Sequence, residues 1–222
     1  MNAEPVIDTK QRLLAAGVEL FAERGFHGTK VRDIAARAGV NVAAGNYHYG
    51  SKKELYLEVL RAQFADVRAL LARRGGSPSP AALARLPRAA VVETLRARVR
   101  VMFEVLVGPP GLAGRLMQRE MSDPSEAFPV VVAEFIEPIV GEMEALVSRL
   151  APALDGEAVR RSVASIAGQV HFYLSAQPAV QRLFGADAYT PAWIRRTTDH
   201  ITDFSVAALD GLSGQSKGRR AR

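Results

Sequence analysis

Apolar residues recur along the chain at intervals of three and four, and nowhere do they alternate with polar ones over the length of a strand. The spacing predicts an all-α protein. Leu13, Leu14, Leu20 and Phe21 mark one face of a first helix over 9–24, with Asp8 and Gln11 as a capping box and Gly25 as its stop. Thr29 is placed to cap a second helix over 30–38, which carries Val31, Ile34, Ala35 and Ala38 along one side and ends at Gly39. Asn41 can cap a third short helix ending near 49–50. Ser51 with Glu54 then opens a fourth that runs to about Arg73. At ~1.5 Å per residue this helix is roughly 30 Å long, enough to bridge two domains.

Residues 75–87 break the pattern with glycine, serine and proline and read as a linker. Further helices are expected over 89–107, 111–121, 124–150, 156–184 and 191–212. Asp123 followed by Pro124, Ser125 and Glu126 supplies a start signal, as do Thr190 and Pro191. Pro129 and Pro138 each remove a backbone donor, so the 124–150 element should bend. The expected organisation is a helix-turn-helix domain over 1–55, a helical bundle over 56–212 and a basic flexible tail over 213–222.

Composition narrows the function classes. The chain has 222 residues, 48% of them hydrophobic and 23% charged, as ordinary globular domains do. No apolar run approaches the ~20 residues of a membrane span, and no signal region opens the chain, so a cytoplasmic protein away from the membrane is expected. With no cysteine, disulfides, thiolate metal sites and a cysteine nucleophile are excluded. The net charge of +6 invites a nucleic-acid reading, but Lys217, Arg219, Arg220 and Arg222 in the last ten residues account for most of it. Any DNA claim must therefore rest on local constellations.

One constellation qualifies. Two short helices joined by a glycine turn carry Thr29 and Arg32 on the first and Asn41 and Asn46 on the second, with Tyr47, His48 and Lys52 at the exit. These side chains suit phosphates and base edges, and the small residues Ala35, Ala38 and Gly39 let the helices cross closely. A packing αα-hairpin is the structural alternative.

The run Gly25-Phe26-His27-Gly28-Thr29, the stretch Ile34-Ala35 to Ala38-Gly39-Val40, and Asn46-Tyr47-His48-Tyr49-Gly50-Ser51-Lys52-Lys53-Glu54-Leu55 resemble the N-terminal domain of TetR-family transcriptional regulators over about 9–60. The resemblance implies an all-α homodimer with DNA-binding heads and a C-terminal domain for ligand binding and dimerisation. Its function would be to bind a palindromic operator in double-stranded DNA, as a repressor released by a small molecule. By position, it implies that Asn41, Val42, Ala43, Ala44 and Asn46 face base edges and that Arg32 reaches a base or phosphate. Thr29, Tyr47, His48 and Lys52 would hold phosphates. Gly45, Asn46 and Tyr49 depart from the usual aliphatic, tyrosine and phenylalanine, and a glycine inside a helix costs about 1 kcal/mol relative to alanine.

Catalysis finds no support. His27, His48, His171 and His200 form no helical metal pair, and no nucleophile elbow or phosphate loop occurs, so neither a cofactor nor a metal is expected. Phe103, Met117, Arg119, Phe135, His171 and Phe172 instead suggest apolar walls with sparse polar anchors, as a pocket for an amphipathic or aromatic ligand needs. Arg119 beside Glu120 reads either as an ion pair or as an anion anchor. The stretches 119–125 and 168–173 resemble a TetR subgroup with its own type of C-terminal domain. Ala164, Gly168, Ile201, Phe204 and Ala208 on the last two long helices are the candidate dimer face. A ligand-insensitive architectural DNA binder is the alternative to an induced regulator.

Overall fold

The computed structural model describes residues 8–73, 78–107 and 112–220, and every regular element among them is helical. The chain forms two compact units, one from 1–66 with 110–135, the other from 67–109 with 136–222. The Gly-rich part of the predicted linker lies outside the described residues.

In the first unit, α1 (Thr9–Gly28), α2 (Val31–Ala38), α3 (Val42–Tyr49) and the start of α4 (Lys52–Arg73) surround a core that includes Leu13, Leu20, Phe21, Ile34, Tyr56 and Leu60. Helix α1 outruns its expected end because Gly25, at φ 71°, kinks the chain and one more turn follows. Asp8 makes no side-chain cap there, whereas Asn41 and Ser51 cap as expected. Asn41 Oδ1 accepts from the Ala43 N–H at 3.0 Å, and Ser51 Oγ from the Glu54 N–H at 3.1 Å.

Helix α7 (Leu112–Ser122) packs on α1 within this same unit. The expected start at 124 is displaced: α8 (Phe128–Val131) begins later, and a π-helical turn over Val132–Ile136 leads into α9 (Glu137–Leu150). Pro138 cannot donate to the carbonyl four residues back, and the widened turn absorbs the defect. Glu134 in that turn makes a bidentate pair with Arg61 (3.0 and 2.8 Å), and Phe135 stacks on Phe64 with centroids 4.5 Å apart.

The second unit assembles α5 (Pro80–Arg85), α6 (Arg88–Val107), α9, α10 (Gly156–Ser175), α11 (Gln177–Phe184) and α12 (Pro191–Arg220). The expected 156–184 helix is broken after Ser175, since Pro178 opens α11 and removes a backbone donor. Its core gathers Leu95, Val99, Phe103, Leu146, Ile166 and Trp193. Polar ties bind α12 to α6: Arg96 pairs with Asp203 at 2.7 Å and with Asp199 at 3.3 Å, and Arg100 reaches Asp199 at 3.0 Å. Helix α12 runs on to Arg220, past 212 where the pattern ended it, so residues 213–220 of the expected tail are helical. Among the described residues no helix is long and apolar enough to cross a membrane, and no cluster of histidine and carboxylate side chains could hold a metal.

Candidate nucleic-acid interface

The α2–α3 turn depends on Gly39, which sits in the left-handed region at φ 64°, ψ 40°. A side chain there would be strained and would also lie 2.7 Å from the Arg12 guanidinium, which donates to the Gly39 carbonyl at 3.2 Å. Arg12 of α1 thus holds the turn between the two short helices, a role with no signal in the sequence. Arg37 adds a bridge from α2 to Glu19 of α1 at 2.7 Å.

Beyond this turn, Val42 is 43% exposed and Ala43 is exposed, so apolar contacts at the start of α3 are open to solvent. Arg32 is exposed on α2, its Nε 3.6 Å from Asp33. Asn41 is exposed as well, but its carbonyl oxygen is taken by the α3 cap, leaving the amide donors for another partner. The side chains of Ala44, Asn46 and Tyr47 lie outside the described residues. His48 is half-buried near the end of α3.

Thr29 does not face solvent. Its side chain is wholly buried, its Oγ1 lies 3.1 Å from the Leu20 carbonyl and 2.8 Å from that of Gly25, and Lys30 occupies the N-cap of α2. The expected cap is thereby corrected: the hydroxyl is turned inward to the Leu20 and Gly25 carbonyls, away from the surface a phosphate would approach.

Lys52 stands at the start of α4, with Nζ 4.1 Å from the centroid of the Phe26 ring. Partial burial lowers its pKa, and the charge of Glu126 partly opposes that effect. The α7–α8 turn also touches the head, where His27 Nε2 lies 3.2 Å from the Pro124 carbonyl oxygen.

Arg119 and Glu120 do not pair with each other. Arg119 donates Nε to the Ala22 carbonyl at 3.0 Å and a second N–H to that of Glu23, capping the α1 segment that ends at the Gly25 kink. Glu120 is buried and accepts from the Tyr56 hydroxyl at 2.8 Å, the Ser125 hydroxyl at 2.8 Å and the Ser125 N–H at 3.1 Å. Burial, together with this carboxylate, raises the Tyr56 pKa far above that of a free phenol.

The six expected pocket residues are divided between the two units, three in each. Phe103 is sealed in the second unit's core against Tyr173 and Trp193, whereas Phe172 is 51% exposed and His171 is exposed on α10. In the first unit, Phe135 is buried on Phe64, Met117 is half-buried, and Arg119 lines a cleft of about 320 Å³ with Arg24, Arg115 and Gln118. Apolar periodicity identifies such residues as inward-facing without saying which core receives them.

Four of the five dimer candidates are exposed, two on α10 and two on α12. Phe204 and Ala208 of α12 line a largely apolar groove of about 310 Å³ together with Ile166 and Leu212, whereas Ala164 and Gly168 of α10 are exposed and do not line it. A Cβ added at Gly168 would meet nothing within 4 Å. Ile201 is the exception, because it is buried in its own unit's core.

Comparison with known proteins agrees with this architecture. Residues 13–59 match the family described as bacterial regulatory proteins, tetR family, and residues 91–209 match the C-terminal domain of HTH-type transcriptional dual regulator CecR. The chain belongs to the TetR family of transcriptional regulators, and its C-terminal part is of the CecR type. CecR of Shigella flexneri is 30% identical over 147 residues, a match that spans 63% of this chain and 63% of that protein. RutR of Escherichia coli K12 is 41% identical over 58 residues, 26% of this chain and 27% of RutR. The structure of AibR in complex with isovaleryl coenzyme A and operator DNA shares the fold, with a TM-score of 0.62 at 17% identity over 91% of this chain and 98% of AibR.

Proposed function

We propose that this protein is a dimeric transcription regulator, most simply a repressor, that binds a palindromic operator through α2 and α3 and leaves it when an amphipathic or aromatic small molecule binds. DNA reading is the work of residues 1–55, and ligand binding and dimerisation that of 56–212. The observation that carries this reading is the solvent-facing edge of the head: Arg32, Val42 and Ala43 are exposed around a turn held by Gly39 and Arg12, and Lys52 stands at the next helix start. A helix N-terminus adds free N–H groups and dipole to the lysine charge, a combination suited to a phosphate. Asn46 and Arg32 are the hydrogen-bonding readers, and Val42, Ala43 and Ala44 offer apolar contacts such as a thymine methyl accepts.

Two heads must reach half-sites about one DNA turn, ~34 Å, or a multiple apart, which requires a dimer. The exposed α10–α12 face supports one, with a groove open to a second copy. Release requires a ligand that prefers the DNA-incompetent arrangement, since equal affinity for both arrangements shifts nothing. AibR, solved in complex with isovaleryl coenzyme A and operator DNA, supports the view that this fold can carry both a ligand site and a DNA-binding head.

Footprinting the intergenic DNA beside its own gene tests the reading. Protection of one palindrome over competitor DNA, relieved by a compound from a metabolite panel, is the expected result. Protection without sequence preference or ligand response would favour the architectural alternative.

A further inference from the structure

An unbroken line of side chains lies beneath the ammonium group of Lys52. Nζ stands 4.1 Å from the centroid of the Phe26 ring, and Phe26 tilts against Tyr56 with centroids 5.1 Å apart. Tyr56 is buried, meets Phe21 edge-on at 4.8 Å and donates its hydroxyl proton to Glu120 at 2.8 Å. Glu120 is fixed in turn by the N–H and hydroxyl of Ser125.

We infer that Glu120, Tyr56 and Phe26 are positioning residues that hold the Lys52 ammonium over the Phe26 ring, poised to meet a phosphate oxygen of DNA. The inference rests on the DNA-binding reading above and assigns that site its supporting shell.

A lysine side chain ordinarily samples many rotamers, and immobilising it on a phosphate costs conformational entropy. The negative face of an aromatic ring attracts the ammonium and removes part of that freedom before DNA arrives. With one side of the ammonium against the ring, its N–H groups on the other side are available to an anion. The platform is only as steady as its footing. Phe26 follows directly on the Gly25 kink, and the Tyr56 ring supports it from within the core. The Tyr56 hydroxyl bond to Glu120 sets the level of that ring. Arg119, the residue before Glu120, ties the α1 carbonyls just ahead of Gly25, so consecutive residues of α7 secure both supports of the platform.

A double-mutant cycle with mixed-sequence genomic DNA as the probe tests the inference, because phosphate contacts act on any sequence. Phe26→Leu should weaken binding by about three- to ten-fold when Lys52 is present and leave it unchanged when the background is Lys52→Gln. Phe26→Tyr keeps the ring and should bind as the unaltered protein does. Tyr56→Phe removes one hydroxyl and no packing. It should show a smaller loss with the same dependence on Lys52, and it carries the test if Phe26→Leu fails to fold. Equal losses in both backgrounds would mean that the aromatic stack only stabilises the head, and would overturn the inference. Binding that Lys52→Gln leaves untouched would overturn it too, by removing Lys52 from the interface. An unaltered protein without affinity for any DNA would overturn the function reading itself.

Discussion

Ile201 and Phe204 are separated by three positions on α12 and meet opposite surroundings: Ile201 is 1% exposed, inside the core of its unit, whereas Phe204 is 60% exposed. The apolar stripe of this helix is wider than its own chain covers. Arg96 and Arg100 of α6 pin one side of α12, and Phe204, Ala208 and Leu212 remain along the groove beside α10. Gly168→Arg or Phe204→Glu should therefore abolish the dimer while leaving the monomer folded, since each puts a charge where a second copy would desolvate it. Ile201→Ala should instead cost about 2–5 kcal/mol of stability as a core cavity. Sedimentation velocity and thermal melts separate the two outcomes, and an unchanged dimer for both surface variants would move the interface elsewhere.

Lys52 and Thr29 should behave differently, although position in the family pattern suggests phosphate contacts for both. Lys52→Ala should weaken binding to all DNA sequences and lower the salt slope by about one. Thr29→Val should leave the slope unchanged and cost roughly 1–2 kcal/mol of stability, because its buried hydroxyl serves only the Leu20 and Gly25 carbonyls. Titrations of DNA binding against salt concentration, with denaturant unfolding alongside, read both effects. A lowered slope for Thr29→Val would restore it to the interface.

Asn46→Ala should lose about 1–3 kcal/mol on the operator and much less on random DNA if this side chain reads a base. Competition binding on both probes gives the ratio. A uniform loss would make Asn46 a residue that orients the head on the backbone.

Alkaline titration should expose the Tyr56–Glu120 bond. Burial raises the pKa values of Tyr49, Tyr56, Tyr173 and Tyr189, and the Glu120 bond adds to the effect at Tyr56. A tyrosine whose folded pKa exceeds its unfolded value of about 10 contributes stability that is intact below pH ~10 and is lost as pH rises beyond it. Stability should therefore fall above pH ~10, with phenolate absorbance appearing together with unfolding. Tyr56→Phe should flatten that fall. A Tyr56 that ionises at its ordinary pKa in the folded protein would contradict the buried bond.

Local signals made much of the head, and the start of α12, legible. Asn41, Ser51 and Thr190 cap the helices that their spacing announced, because a cap bond spans only two or three residues and is decided by the residues themselves. Gly25 and Gly39 mark the kink and the turn for the same local reason: both take positive φ. Pro129, Pro138 and Pro178 each stand in the first turn of a helix, α8, α9 and α11, and the sequence anticipated a break only at the first two.

What the sequence determined alone was therefore the all-α class, the helix starts marked by Asn41, Ser51 and Thr190, and the helix-turn-helix register, since period, capping and turn chemistry act within a few residues. Tertiary structure decided which side of each apolar stripe would be covered, and by what. It turned Thr29 inward to carbonyls nine and four residues behind it, sent Ile201 to the core and Phe204 to the surface, and separated Arg119 from Glu120. It also brought Glu120 to Tyr56 across sixty-four positions and Arg12 to Gly39 across twenty-seven. Such pairings depend on where helices cross, and a crossing is a property of two packed surfaces that neither segment encodes by itself.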